Sequence, residues 1–255
     1  MVFKKILNFK KNIKNNKNYK GRNVLKIENF DENIFDKIYV FGDLHGNYDL
    51  FIKMLEKIKF TKDDLIVILG DSCDRGNKTA DLYYKYKELM ENGYTIKHIL
   101  GNHEIMMYKG GFCNDIAIKR IWRLSGGKNT ELSFRKYPKF KSVWHGLDGE
   151  ESLKWLKEWL EKMPHILISQ SYIFVHAGYD GRVVEQNEDF VLWSRESFWD
   201  YNTTGKEIYH GHTPSVINQI HKRPNNVYSM DVGANFCKNL KILEIKSKTE
   251  FEVEI

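Results

Sequence analysis

Ile38-Tyr39-Val40-Phe41-Gly42-Asp43-Leu44-His45-Gly46 passes from four apolar residues straight into a polar turn bracketed by glycines. An unbroken β-branched and aromatic run of that length reads as a buried strand, stopped by the first glycine. Immediately downstream, Tyr48, Phe51, Ile52, Leu55 and Ile58 mark one face of a helix. The unit then recurs. Leu65 to Leu69 predicts a second strand ending in Gly70-Asp71, Thr79 to Asn92 a helix closing near Gly93, and Thr95 to Leu100 a third strand ending in Gly101-Asn102. Strands and helices in alternation make βαβ units, hence a parallel sheet whose functional loops follow the strand C-termini.

Outward from that core the text changes twice. Residues 105–163 hold no obvious strand and carry Trp122, Trp144, Trp155 and Trp159 between breaks at Gly126-Gly127 and Gly146, which predicts a mostly helical insertion. The spacing of Trp155 and Trp159 fits a packed helix face. Beyond Pro164 the chain turns β-rich, with runs at Ile166 to Ser169, Tyr172 to Val175, Glu207 to Tyr209, Val227 to Asp231, Leu240 to Ile245 and Phe251 to Ile255. No repeat or low-complexity linker divides these halves, so one domain over residues 36–255 is expected, an α/β fold of two packed sheets flanked by helices. Residues 1–35 read as a basic, flexible extension.

Charge supports that division. Of 40 Lys+Arg against 34 Asp+Glu, eight lie in residues 1–22, which contain no acid, and the remaining body is near neutral. A basic tail on a neutral body argues against sequence-specific nucleic-acid binding. Val2, Ile6, Phe9 and Ile13 recur at helical spacing, so residues 1–22 are either a solvated extension or a weak membrane-surface contact. No apolar run approaches the ~18 residues of a membrane span. The isolated Cys73, Cys113 and Cys237 offer neither a disulfide framework nor a Cys-x-x-Cys metal site, and suit a reducing cytoplasmic setting.

The chemistry lies in five loops: the three above, then Val175-His176-Ala177-Gly178 and His210-Gly211-His212-Thr213. Asp43, Asp71 and Asn102 are separated by 28 and 31 residues, close to the ~30 residues of a βαβ unit. Three oxygen donors thus emerge side by side at one sheet edge. Singly, a Gly-Asp after a strand is a turn, and a histidine on an apolar strand is a satisfied core residue. Jointly, Asp43, His45, Asp71, Asn102, His176 and His212 at strand ends describe a metal site with mixed oxygen and imidazole donors.

In that order, Gly-Asp-x-His-Gly, Gly-Asp-x-x-Asp-Arg-Gly, Gly-Asn-His-Glu, His-Ala-Gly and Gly-His-Thr, the motifs resemble those of the calcineurin-like metallophosphoesterases. Gly101 to Met107, Leu192 to Glu196 and Met230 to Ala234 extend the similarity to the phosphoprotein phosphatase branch, in particular the lambda-phage type of bacterial Ser/Thr phosphatase. The resemblance covers about residues 36 to 246 and implies an αββα sandwich with two divalent ions. It places Asp43 and His45 on the first metal, Asp71 between the two, and Asn102, His176 and His212 on the second. Mn is the expected metal, with Fe, Zn and Ni compatible.

The resemblance further implies in-line attack on phosphorus by a metal-bridging hydroxide. Two cations, two carboxylates and one hydroxide leave a charge of about +1, too little for a phosphomonoester dianion. Arg75 and Arg195, with Asn102, would complete phosphate binding. His103 would act as general acid, oriented by Asp74. The implied activity is that of a protein Ser/Thr phosphatase, with a phosphorylated protein or peptide as partner. The alternatives are a bis(5′-nucleosyl)-tetraphosphatase acting on a dinucleoside polyphosphate, and an inactive phospho-ligand binding module. His98, His165 and His221 read as structural, His145 stands in no motif, and His210 ends its strand. Glu104 caps or braces its loop, Cys73 is a packed thiol, and Gly126-Gly127-Lys128-Asn129-Thr130 lacks the spacing of a nucleotide-binding P-loop.

Overall fold

The computed structural model describes residues 25–137 and 147–255. The amphipathic pattern of residues 1–22, and Trp144, His145 and Gly146, lie outside the described residues. Eleven strands occur among the described residues, β1 (Ile27–Asn29), β2 (Ile38–Phe41), β3 (Leu65–Ile68), β4 (Thr95–His98), β5 (Ile166–Ile168), β6 (Tyr172–Val175), β7 (Glu207–His210), β8 (His221–Arg223), β9 (Val227–Ser229), β10 (Asn239–Glu244) and β11 (Thr249–Glu254). They form two mixed sheets, one ordered β1-β5-β6-β7-β9-β8 and the other β11-β10-β2-β3-β4.

Alternation along each strand builds the layers. Ile38 and Val40 of β2, with Leu65 and Val67 of β3, meet Phe174 and Tyr209 of the other sheet in the central core. Their neighbours Tyr39, Phe41, Ile66 and Ile68 point outward onto α1 (Tyr48–Ile58) and α2 (Thr79–Glu91). On the far side, Ile173, Val175 and Ile208 pack against Val191 and Leu192 of a short helix at Glu188–Trp193. The fold is therefore the expected α/β sandwich. The face of α1 is turned slightly from the sequence reading: Leu50, Phe51, Met54 and Ile58 are its buried residues, with Tyr48, Ile52 and Leu55 half-buried beside them.

Two short strands escaped the sequence reading. β1 lies within residues 1–35, expected as a flexible extension, yet pairs in parallel with β5, Ile27 opposite Ile166. β8, His-Lys-Arg, pairs with β9 at the opposite edge. Both are three residues long and polar or half-exposed, as edge strands commonly are, so neither leaves an apolar run to read. Within the insertion the described residues are helical: Ile116–Trp122, Lys128–Arg135, Lys154–Lys162 and wide π turns at Met107–Phe112 and Arg123–Gly127. Trp155 and Trp159 stack on each other and against Tyr83, Tyr84 and Tyr86, a packed face as read.

Candidate active site

Strands β2, β3 and β4 run parallel, as do β6 and β7, so all five loops leave at strand C-termini. β5, antiparallel to β6, supplies none of the candidate residues. Main-chain bonds knit the loops together. Leu44 and His45 donate to Asp71 O (3.1 and 2.9 Å), Gly46 to Ser72 O (2.7 Å), and Gly211 to His176 O (2.9 Å). Two glycines are needed for close approach: a Cβ at Gly101 would lie 2.3 Å from Asp71 Oδ1, and one at Gly211 2.4 Å from Asp43 Oδ1. His45, Asp71, Asp74, Arg75 and His212 all hold left-handed φ (44°, 52°, 71°, 63° and 67°), strain of the kind stored at functional sites.

Asp43, His45, Asp71, Asn102, His103, His176 and His212 are all buried and lie together. Two groups of ligand atoms stand within 4.8 Å of one another, His45 with Asp71 and His103, and Asp71 with His176 and His212. Asp71 faces both: its Oδ1 is 3.4 Å from His176 Nε2, its Oδ2 3.8 Å from His45 Nε2. Asp43 Oδ2 is also 3.8 Å from His45 Nε2.

Hydrogen bonding at the back of each ring decides what its front can do. His45 gives its Nδ1 proton to Cys73 O (2.8 Å), and His176 gives its own to Leu69 O (2.7 Å). Each Nε2 then carries a lone pair forward. His45 Nε2 and His212 Nε2 have no hydrogen-bond partner although buried, and His176 Nε2 faces the acceptor Asn102 Oδ1 at 2.9 Å. Convergent lone pairs without a proton between them are a donor set for a cation, so these residues fit a metal.

The electrostatics agree. Burial raises the Asp43 carboxyl well above its ordinary value, and Asp231 and Asp71 push the same way. Burial would raise Asp71 too, but His176, His103, His45 and His212 together hold it well below the carboxylate range. Burial keeps His45 and His212 neutral, helped by His103 and Arg75 for the first and by His176 and Arg195 for the second. His103 goes the other way: burial would lower it, yet Asp71 and the Asp74 hydrogen bond raise it. Its Nδ1 lies 2.6 Å from Asp74 Oδ2, and its Nε2 3.2 Å from Arg75 Nη2. Arg195, at the exposed rim, donates to Thr213 Oγ1 (3.0 Å) on the His212 loop.

Two contributions went unread in the sequence, and a third, that of Glu104, was read without its partners. Asp231, buried after β9 and pushed up to about 6 by burial and Asp71, adds a carboxylate beside the other two. Glu104 both caps and braces, as read: its carboxylate accepts from the N-cap amide Gly101 N (3.1 Å) and also from Asp71 N (2.6 Å), Ser72 N (2.8 Å), Cys73 N (3.3 Å) and Tyr83 OH (2.9 Å) on other segments. Trp122 Nε1 and Thr130 Oγ1 donate to Asp74 Oδ1 (2.8 and 2.7 Å). The remaining histidines among the described residues have structural partners, His98 on Ser72 Oγ (2.8 Å), His210 on Ser229 Oγ (2.8 Å), His221 on Ser215 Oγ (2.9 Å), and His165 accepting from Lys26 N (3.1 Å). Cys73 is buried, its thiol pushed well up by burial and by Asp74, as a packed thiol should be.

A two-sheet sandwich with buried histidines and aspartates at its strand C-termini, an arginine and a histidine–aspartate pair beside them, defines a metal-dependent phosphoesterase. The family model of the calcineurin-like phosphoesterases matches residues 36–243, and the chain belongs to that family and is a hydrolase. Its similarity to the phosphoprotein phosphatase branch includes "Serine/threonine-protein phosphatase 2" of Salmonella typhimurium, 24% identical over 88% of this chain and 99% of that one. A symmetrical bis(5′-nucleosyl)-tetraphosphatase of Mannheimia succiniciproducens is 27% identical over 55% of this chain and 43% of its own. The crystal structure of a candidate diadenosine tetraphosphatase superimposes with a TM-score of 0.66 at 12% identity, covering 90% of this chain and 98% of that one, a likeness of fold alone.

Proposed function

We propose that the chain is a binuclear metal-dependent phosphomonoesterase that removes phosphate from phosphoserine and phosphothreonine in proteins. The observation that carries the binuclear reading is Asp71, one of whose oxygens faces His176 and the other His45. Asp43 and His45 would hold one ion, Asn102, His176 and His212 the other, with Asp71 shared. Mn suits this donor set. Two divalent ions there would lower the pKa of water and draw charge from the phosphoryl oxygens. Asp231 takes the charge count of the centre from about +1 to about zero if ionised, so the phosphate dianion depends all the more on Arg75 and Arg195. His103, held by Asp74 through Nδ1, gives its Nε2 proton to the departing alkoxide.

Extent of similarity favours a phosphoprotein over a dinucleotide. The Salmonella phosphatase aligns along 88% of this chain, whereas the tetraphosphatase alignment stops at 55%. The unpaired thiols Cys73, Cys113 and Cys237 suit a cytoplasmic enzyme. The test is phosphate release by the Mn-loaded protein from a phosphoserine and phosphothreonine peptide panel, beside diadenosine tetraphosphate hydrolysis followed chromatographically. Preference for peptides is expected. Preference for the dinucleotide would keep the site chemistry and overturn the substrate.

A further inference from the structure

We infer that the insertion segment from Trp122 to Thr130 is a positioning device that holds both the phosphate clamp Arg75 and the acid His103, acting through the strained backbone of Asp74 and Arg75. The inference rests on the roles proposed above for those two residues. Asp74 and Arg75 are consecutive non-glycine residues at φ 71° and 63°, a pair that persists only where its surroundings hold it. That hold comes largely from one segment. Thr130 Oγ1 accepts from Asp74 N (2.9 Å) while donating to Asp74 Oδ1 (2.7 Å), and Trp122 Nε1 donates to the same oxygen (2.8 Å). Gly126 O accepts from Arg75 N (3.3 Å), and Asn129 Nδ2 donates to Arg75 O (2.5 Å).

Close approach is built in. Gly126 sits at φ 115°, and a Cβ there would lie 2.6 Å from Arg75 N. A Cβ on Gly127 would fall 2.4 Å from the Trp122 ring, so the glycine pair lets the turn close over the catalytic loop with the tryptophan beneath it. With Oδ1 of Asp74 held by two donors, the carboxylate cannot rotate about its axis. Oδ2 alone then meets His103 Nδ1 at 2.6 Å, which fixes the imidazole with Nε2 toward the Arg75 guanidinium. The Gly-Gly-Lys-Asn-Thr stretch thus shapes a catalytic loop rather than a nucleotide pocket.

The test uses the full Mn-loaded chain and two esters, phenyl phosphate with a poor leaving group and 4-nitrophenyl phosphate with a good one. Thr130→Val, close to isosteric, removes both hydroxyl bonds to Asp74 along with a longer one to Thr79 Oγ1 (3.3 Å), and Thr130→Ser keeps them. Thr130→Val should cut kcat on phenyl phosphate roughly tenfold more than on the nitrophenyl ester, a fraction of what a general acid contributes. Thr130→Ser should restore it, and Trp122→Phe should repeat the split. Asn129→Ala, an exposed change, should raise KM for both esters alike through Arg75. In a His103→Asn background, Thr130→Val should add no further leaving-group dependence. Equal losses on both esters, a serine no better than valine, or a split that survives His103→Asn would each overturn the inference. Wild type and His103→Asn behaving alike on the two esters would remove the acid assignment and this inference with it; a His103→Asn split with Thr130→Val unaffected would remove this inference alone.

Discussion

Glu104→Gln is the substitution whose cost the geometry fixes most closely. The side chain is fully buried, and glutamine has nearly its shape, so no cavity opens and the effect is one of hydrogen bonding. Three donors converge on Oε1, from Ser72 N, Cys73 N and Tyr83 OH, and two on Oε2, from Asp71 N and Gly101 N. A carboxamide keeps one acceptor, and its least costly orientation sets the NH2 at the Oε2 position, against the amides of Asp71 and Gly101. Two bonds to a charged acceptor are lost at about 1.5–3 kcal/mol each, roughly 3–6 kcal/mol together. Total stability is on the order of 5–15 kcal/mol. For a domain of this size a loss of roughly 3–6 kcal/mol lowers Tm by roughly 6–24 °C. Thermal melts by circular dichroism with metal fixed in excess would measure it, with Tyr83→Phe as a control that removes a single bond to the same carboxylate, worth about 1.5–3 kcal/mol. A fall in Tm under about 3 °C would refute the view that one carboxylate sets the geometry of two metal loops.

His103→Asn should slow phenyl phosphate hydrolysis by about 10²-fold or more while sparing 4-nitrophenyl phosphate, whose leaving group needs no proton; equal losses on the two esters would contradict the acid role. Adding Mn to chelator-treated protein at about 100 times its Kd should stabilise the fold by about 2.7 kcal/mol, read as a Tm rise by scanning fluorimetry, and no rise would contradict the donor-set assignment. Burial holds the His210 imidazole at about 3. The unfolded chain takes up that proton below about 6.5 while the folded one does not, so the stability His210 contributes is complete above that pH and falls by about 1.4 kcal/mol per pH unit below it. The stability lost in His210→Gln, measured by urea unfolding, should therefore shrink between pH 6.5 and 5, and a constant difference would refute the burial argument.

What could be read in the sequence was what neighbours in sequence determine. Each site loop is a strand end with its proposed ligand attached, so Asp43 with His45 and Asn102 with His103 announce themselves within a few residues. The contributions that went unread depend on distance along the chain. Trp122 and Thr130 meet Asp74 across 48 and 56 residues, and nothing local in Gly-Gly-Lys-Asn-Thr names its partner. Asp231 becomes relevant only because β9 lies parallel beside β7. β1 and β8 were invisible for a different reason, since a three-residue edge strand draws its order from the sheet it joins rather than from its own apolar content.

The same distinction explains where the fold stores its strain. Asp43 and Asp71 are displaced in opposite directions, one raised by burial and its carboxylate neighbours, the other lowered by four imidazoles that outweigh burial. Buried like charges repel unless a countercharge lies between them, and two of the imidazoles present nitrogen atoms with no hydrogen-bond partner. Left-handed backbone at His45, Asp71, Asp74, Arg75 and His212 is maintained beside this repulsion. Packing and the loop-to-loop hydrogen bonds must therefore hold the proposed ligands in place against their own electrostatics, which is the condition for binding a cation without first reorganising the loops. It follows that Glu104 and Thr130, neither of them a proposed ligand, govern how well the site is placed: the first joins the loops of the proposed ligands Asp71 and Asn102, and the second fastens Asp74, and with it the loop of Arg75, to the insertion.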